Sequence, residues 1–112
     1  MANPLRGEIE AELDGRTLTL CLTLGALAEL ESALGGGDIL ALAERFERGR
    51  LGASELAAII GAGLRGGGNA VADDEVLAMK TPGGAGGYID IVARLLKATF
   101  TPLGEETGGA AT

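Results

Sequence analysis

Apolar positions follow a period of two at the start of this chain and a helical period over most of the rest. Glu8 to Leu13 alternates, Asp14-Gly15 follows, and a second alternating run starts at Arg16. Asp-Gly between two such runs predicts a type I′ turn, and so a β-hairpin over about 8–22. In the second run Leu18, Leu20, Leu22 and Leu24 alternate with Thr17, Thr19, Cys21 and Thr23. That pattern puts the four leucines on one strand face. From Leu24 the period lengthens. Leu27, Leu30 and Leu34 share one helical stripe, with Leu24 and Ala28 at its edge. Glu29 lies well away from this stripe and Glu31 at its margin. The simplest reading is a core strand that feeds a core helix.

Thr23 is the expected N-cap of that helix and Gly35 its stop. Asp38 is expected to cap a second helix with Ile39, Leu42, Ala43 and Phe46 on one face and Leu40 off it. Ser54 is the expected cap of a third, whose large apolar face is Leu56, Ile59, Ile60 and Leu64. Ala58, Gly61 and Ala62 give it a small-residue face. An interior glycine costs about 1 kcal/mol against alanine, so another backbone is expected to come close there. Asp73 or Asp74 starts a short helix that ends before Pro82. Gly83 to Gly87 reads as a flexible joint. The last helix places Tyr88, Ile89, Ile91, Val92, Leu95, Leu96 and Phe100 on one broad face, opposite Asp90, Arg94 and Lys97.

Helices are thus predicted at about 24–34, 39–48, 55–65, 74–80 and 88–100. Residues 101–112 hold Pro102 and small polar residues and are expected to form a disordered tail. A two-stranded hairpin is marginal by itself in water. The predicted fold is therefore α+β, mostly α: an N-terminal β-hairpin packed on a bundle of about four to five helices. The chain has 112 residues, which suits a single domain over 1–100 with one core.

Charge narrows the function. Sixteen acids against nine bases give a net charge of −7. Nucleic-acid binding needs a basic face, and single-strand binding uses stacking aromatics. The aromatics here are Phe46, Tyr88 and Phe100, so no nucleic-acid partner is expected. No run of about 18 apolar residues is present to span a membrane, and the opening residues lack a signal-peptide apolar run. Cys21 is the single cysteine. It reads as a small buried apolar residue, since a nucleophile needs a base and the chain has no histidine.

Motifs add little chemistry. Gly61-Ala62-Gly63-Leu64-Arg65-Gly66 matches G-x-G-x-x-G. It falls at the C-terminal end of a predicted helix, where the dipole has the wrong sign for phosphate. There is no P-loop, and ordinary zinc sites lack their ligands. Asp73-Asp74-Glu75 reads as helix capping. Without convergent acid–base groups, no enzyme activity, cofactor or metal is expected.

Three segments carry a resemblance: MANPLRGEIEAELDGR at the start, LTLGALAELESALG (Leu22–Gly35), and GLRGGGN (Gly63–Asn69) before the short acidic helix. With the length and helix order, they resemble the small gene-transfer-agent family proteins of alphaproteobacteria over about residues 3–100. That family is similar to the tail assembly chaperones of long-tailed phages and is also labelled phage tail tube protein. The resemblance implies a non-enzymatic protein of tail morphogenesis in the bacterial cytoplasm. Its expected partners are the tape-measure protein, the tail tube protein and further copies of itself. The alternative it leaves is a virion component, either tail tube or head–tail connector. Tube subunits of long-tailed phages are β-sandwich-like, so one hairpin among helices ranks chaperone above tube. The residues expected to touch a partner are Leu40, Glu29 and Glu31.

Overall fold

Asp14 and Gly15 both adopt positive φ, 55° and 74°, so the hairpin closes through the type I′ turn expected of Asp-Gly. The structure, a computed structural model, describes residues 2–3, 6–35 and 38–111, with side chains through Phe100. Strands β1 (Glu8–Leu13) and β2 (Arg16–Cys21) pair antiparallel, with Ile9 opposite Leu20 and Ala11 opposite Leu18. Ile9, Ala11, Leu13 and Leu20 are buried, while Glu10 and Glu12 face out. Alternation in sequence has become burial on one face.

Leu24 departs from that pattern and is 84% exposed. Strand β2 stops at Cys21, and Leu24 is the first residue of α1 (Leu24–Ala33). Its direction is set by helix geometry, so the strand alternation no longer applies to it. Leu22 and Leu30 are buried as expected, with Leu27 and Leu34 half-buried. Thr23 caps α1: its hydroxyl oxygen accepts from the Ala26 N–H at 3.1 Å.

Four more helices follow: α2 (Ile39–Glu47), α3 (Ala53–Gly66), α4 (Asp73–Ala78) and α5 (Ala85–Ala111). Asp38 caps α2 by accepting from the Ala41 N–H at 2.7 Å. The cap of α3 is Gly52 rather than Ser54. Glu55 reaches back to accept from the Gly52 N–H at 2.9 Å, so the third helical residue supplies the bond that a capping side chain would have made. Glu75 does the same for the Ala72 N–H at 2.7 Å ahead of α4. Helix α5 begins at Ala85, because the joint is confined to Gly83 and Gly84, both at positive φ. The tail expected over 101–112 lies outside the residues whose side chains are described.

Glu55 also accepts from Arg45 of α2. The Gly52 amide first, and then Arg45, hold its carboxyl below the usual value of 4.5. The unfolded chain therefore binds this proton more readily than the folded one. The resulting stability is present above the unfolded value and lost as pH falls through the lower folded value. Glu55→Gln is expected to flatten the acid side of the stability profile. Urea midpoints taken between about pH 3 and 6 would show it. Wild-type and variant profiles that stay parallel would rule the effect out.

Helix α3 is the centre of the fold. It packs against β2, α1, α4 and α5, and every residue from Ala57 to Leu64 is buried. Its C-terminus closes in a Schellman motif: Asn69 N–H bonds Leu64 C=O at 2.8 Å and Gly68 N–H bonds Arg65 C=O at 3.1 Å. Gly68 supplies the positive φ of 96°. The Asn69 amide then donates to Thr19 C=O on β2 at 2.8 Å. Gly66 and Gly67 lie directly on β2, so close that a Cβ on either would sit under 3.0 Å from a backbone carbonyl, Cys21 or Thr19.

The outer edge of β1 is covered. Arg94 donates to Glu10 C=O at 2.7 Å and Thr81 to Glu12 C=O at 2.7 Å. Asp14 and Lys80 exchange two bonds, Asp14 N–H to Lys80 C=O at 2.7 Å and Lys80 N–H to the Asp14 carboxylate at 2.9 Å. The segment between α4 and α5 is thereby pinned to the hairpin turn, and the strand edge is less open to pairing. On α5, Ile91, Val92, Leu95 and Leu96 are buried, while Ile89 is 48% exposed.

Candidate functional site

Three helical stripes meet in an apolar groove. Ala53, Leu56, Ala57 and Ile60 recur at i, i+3, i+4 and i+7 on α3, so they line up along one side of it. Val76 and Leu77 come from α4, and Ala85, Tyr88 and Ile89 from the start of α5. The groove they enclose has a volume of about 200 Å³. Its floor is core: Ile60 is 1% and Val76 3% exposed. Its upper edges are Leu77, 59% exposed, and Ile89, 48% exposed. The Tyr88 hydroxyl donates to Met79 C=O, which satisfies the polar end of a ring that otherwise lines an apolar surface. Two exposed branched side chains on either side of a buried apolar floor can grip another apolar side chain.

A second cluster is polar and internally satisfied. Arg65, on the last turn of α3, binds Glu29 of α1 at 2.6 Å and Asp73 of α4 at 3.0 Å. It also donates to Val71 C=O at 2.9 Å. The Glu29 bond, above all, holds the guanidinium charged. One arginine thus joins three helices, and its donors point inward at fixed partners. Such a cluster organises the fold around α3.

The residues expected to meet a partner fall away from the groove. Glu29 is engaged by Arg65. Glu31 is half-buried on α1. Leu40 is 62% exposed on α2. None of the three lines the groove. The groove has a signal in the sequence: the apolar positions of α3 cover more than one stripe, more than a single core face uses. Which stripe stays open depends on how α4 and α5 cross it, and spacing along one helix carries no such information.

The G-x-G-x-x-G glycines are packing positions. A Cβ on Gly61 would strike the Asp73 side chain, one on Gly63 would come within 2.7 Å of Leu95 Cδ2, and one on Gly66 would meet β2. The backbone approach expected on the face of Ala58, Gly61 and Ala62 is not found at Gly61, which meets side chains, and occurs instead at Gly66 and Gly67; Ala58 and Ala62 face α1 across a small gap lined also by Leu30 and Ala33. Cys21 is half-buried, and its thiol donates to Arg6 C=O at 3.6 Å. Burial first, then the Glu8 carboxylate, pushes that thiol up, away from the thiolate form a nucleophile requires. Among the described residues no group of three or more acidic, cysteine or histidine side chains could hold a metal. Among them, too, no helix is long and apolar enough to cross a membrane.

No curated protein and no solved structure matches the chain. A family model described as "Phage tail tube protein, GTA-gp10" matches residues 6–101. That span takes in the hairpin, the central helix with its glycine-rich end, and all three walls of the groove. The chain belongs to this phage tail family, and its role is related to a phage-like tail.

Proposed function

We propose that the protein is a non-enzymatic tail assembly chaperone that binds the tape-measure protein and helps to recruit tail tube subunits around it in the bacterial cytoplasm. The observation that carries this reading is the architecture. A tube wall of the β-sandwich kind needs broad sheets that continue from subunit to subunit. The described residues hold one two-stranded sheet, whose β1 edge is covered by Arg94 and Thr81. The other regular elements are helices, and three of them bring an apolar groove to the surface. A tape-measure protein is long and amphipathic, and a small helical domain can shield its apolar stripe. The net charge of −7 favours solubility of the coated assembly.

The alternative is a subunit retained in the particle, as tail tube or connector, which accords with the family's description as a tail tube protein. Co-expression with the tape-measure protein of the same locus, followed by pull-down and mass analysis of finished particles, separates the two. Capture of the tape measure together with absence from particles is the expected result. High copy number in the particle would replace the chaperone with a wall or connector subunit. Failure to capture the tape measure would also overturn the chaperone reading.

A further inference from the structure

We infer that Ala70 to Pro82, with α4 at its centre, forms a strap that releases as one unit from an otherwise folded domain. Helix α4 has six residues, too few to persist in water without support from its surroundings. Its main packing partner is α3. The apolar support is small: Val76 and Met79 are the buried side chains of the strap, with Val71 half-buried, while Leu77 and Ala78 face out. Glycines at positive φ flank the segment, Gly68 before it and Gly83 and Gly84 after it. Such positions absorb backbone rotation at little cost. The rest of the core closes without the strap, because α3 packs on β2, α1 and α5, and α5 packs on β1.

Polar bonds hold the strap at both ends. At the first, Arg65 of α3 donates to Val71 C=O at 2.9 Å and pairs with Asp73 at 3.0 Å. At the second, Lys80 exchanges its two bonds with Asp14 of the hairpin turn. Thr81 donates there to Glu12 C=O at 2.7 Å, and the Tyr88 hydroxyl of α5 donates to Met79 C=O. All these partners lie on α3, the hairpin or α5, which stay packed when the strap leaves. Each bond contributes only modestly, because water replaces it on release. The ends therefore hold only while Val76 and Met79 are seated between them, and loss of that seat frees both ends together. Release removes the α4 wall of the groove and bares more of its floor at Ile60. The strap thus sets how much of the α3 face is open, whether the protein is a chaperone or a subunit of the particle.

Amide hydrogen exchange of the full chain, followed residue by residue by NMR at low urea concentrations, is the test. The amides from Val76 to Lys80 are expected to share one opening equilibrium. Their protection should lie at least about tenfold below that of Ile59 to Leu64 in α3, with a shallower urea dependence. Thr81→Val and Tyr88→Phe each remove one hydroxyl bond and keep the shape of the side chain. Each is expected to lower protection from Val76 to Lys80 together by about two- to tenfold and to leave α3 unchanged. Asp73→Ala, at the opposite end, is expected to do the same at Lys80. Equal protection and equal urea slopes in the strap and α3 would overturn the inference, since the segment would then open only with the whole domain. Separate rates for the strap amides, or an Asp73→Ala effect confined to its immediate neighbours, would overturn it as well, because the ends would then fray independently.

Discussion

Leu95→Asp is expected to abolish cooperative folding. Leu95 is 0% exposed at the middle of the buried face of α5, and its Cδ2 fills the space above Gly63 that a Cβ would otherwise claim. No charged or polar residue is buried beside it among the described residues, so an aspartate there finds no partner. An unpaired buried carboxylate costs several kcal/mol, and the lost leucine contacts add about 2–5 kcal/mol. A domain of this size is stable by about 5–15 kcal/mol, so the combined loss takes most or all of it. Thermal melts followed by far-ultraviolet circular dichroism should show no sigmoidal transition. Leu95→Ala should retain one at a lower midpoint. A Leu95→Asp chain that unfolds cooperatively near the wild-type midpoint would mean that this face of α5 is not in the core.

The second large effect is expected at the glycine-rich end of α3. Alanine normally stabilises a helix by about 1 kcal/mol over glycine. At Gly66 the opposite is expected. Its Cβ would stand under 3.0 Å from the Cys21 carbonyl oxygen, and at Gly67 the same atom would reach 2.7 Å from the Thr19 carbonyl carbon. Both obstacles are backbone atoms of a paired strand, which cannot rotate away as a side chain can. Overpacking of this kind costs about 1–3 kcal/mol or more, so strain outweighs propensity. Gly86 in α5 is the contrast, with nothing within 4 Å of its Cβ position. Gly86→Ala should leave stability unchanged or raise it by a few tenths of a kcal/mol, while Gly66→Ala and Gly67→Ala lower it by about 2–3 kcal/mol. Urea denaturation of the three variants compares them directly. Equal midpoints would show that the helix end does not rest on β2.

The first of these predictions rests on a feature legible in the sequence, and the second on one that is not. Asp14-Gly15 specified the hairpin turn through local backbone preference. Thr23 and Asp38 specified two helix starts, because a capping oxygen needs only the amides one turn ahead. The apolar face of α5, with Leu95 on it, follows from a period of 3.6 residues. Each is a short-range property, fixed by residues within a few positions of one another. The misjudged points have local causes too. Ser54 looked like a cap because its side chain is the usual kind, but Glu55 reached back to Gly52 and moved the start. Leu24 looked like the next strand position because alternation in sequence does not show where a strand stops.

By itself the sequence determined the class of fold, the order of its elements, two of the helix caps and the net charge of −7. Those features depend on periodicity, capping and net charge, which are written along the chain. The tertiary structure alone decided that Gly66 and Gly67 rest on β2, that Arg65 ties Glu29 and Asp73 together, and that one stripe of α3 stays open between Leu77 and Ile89. Each of these depends on residues far apart in sequence meeting at a distance of a few ångströms. The crossing of helices and the approach of backbones fix such meetings, and no pattern along a single element encodes them.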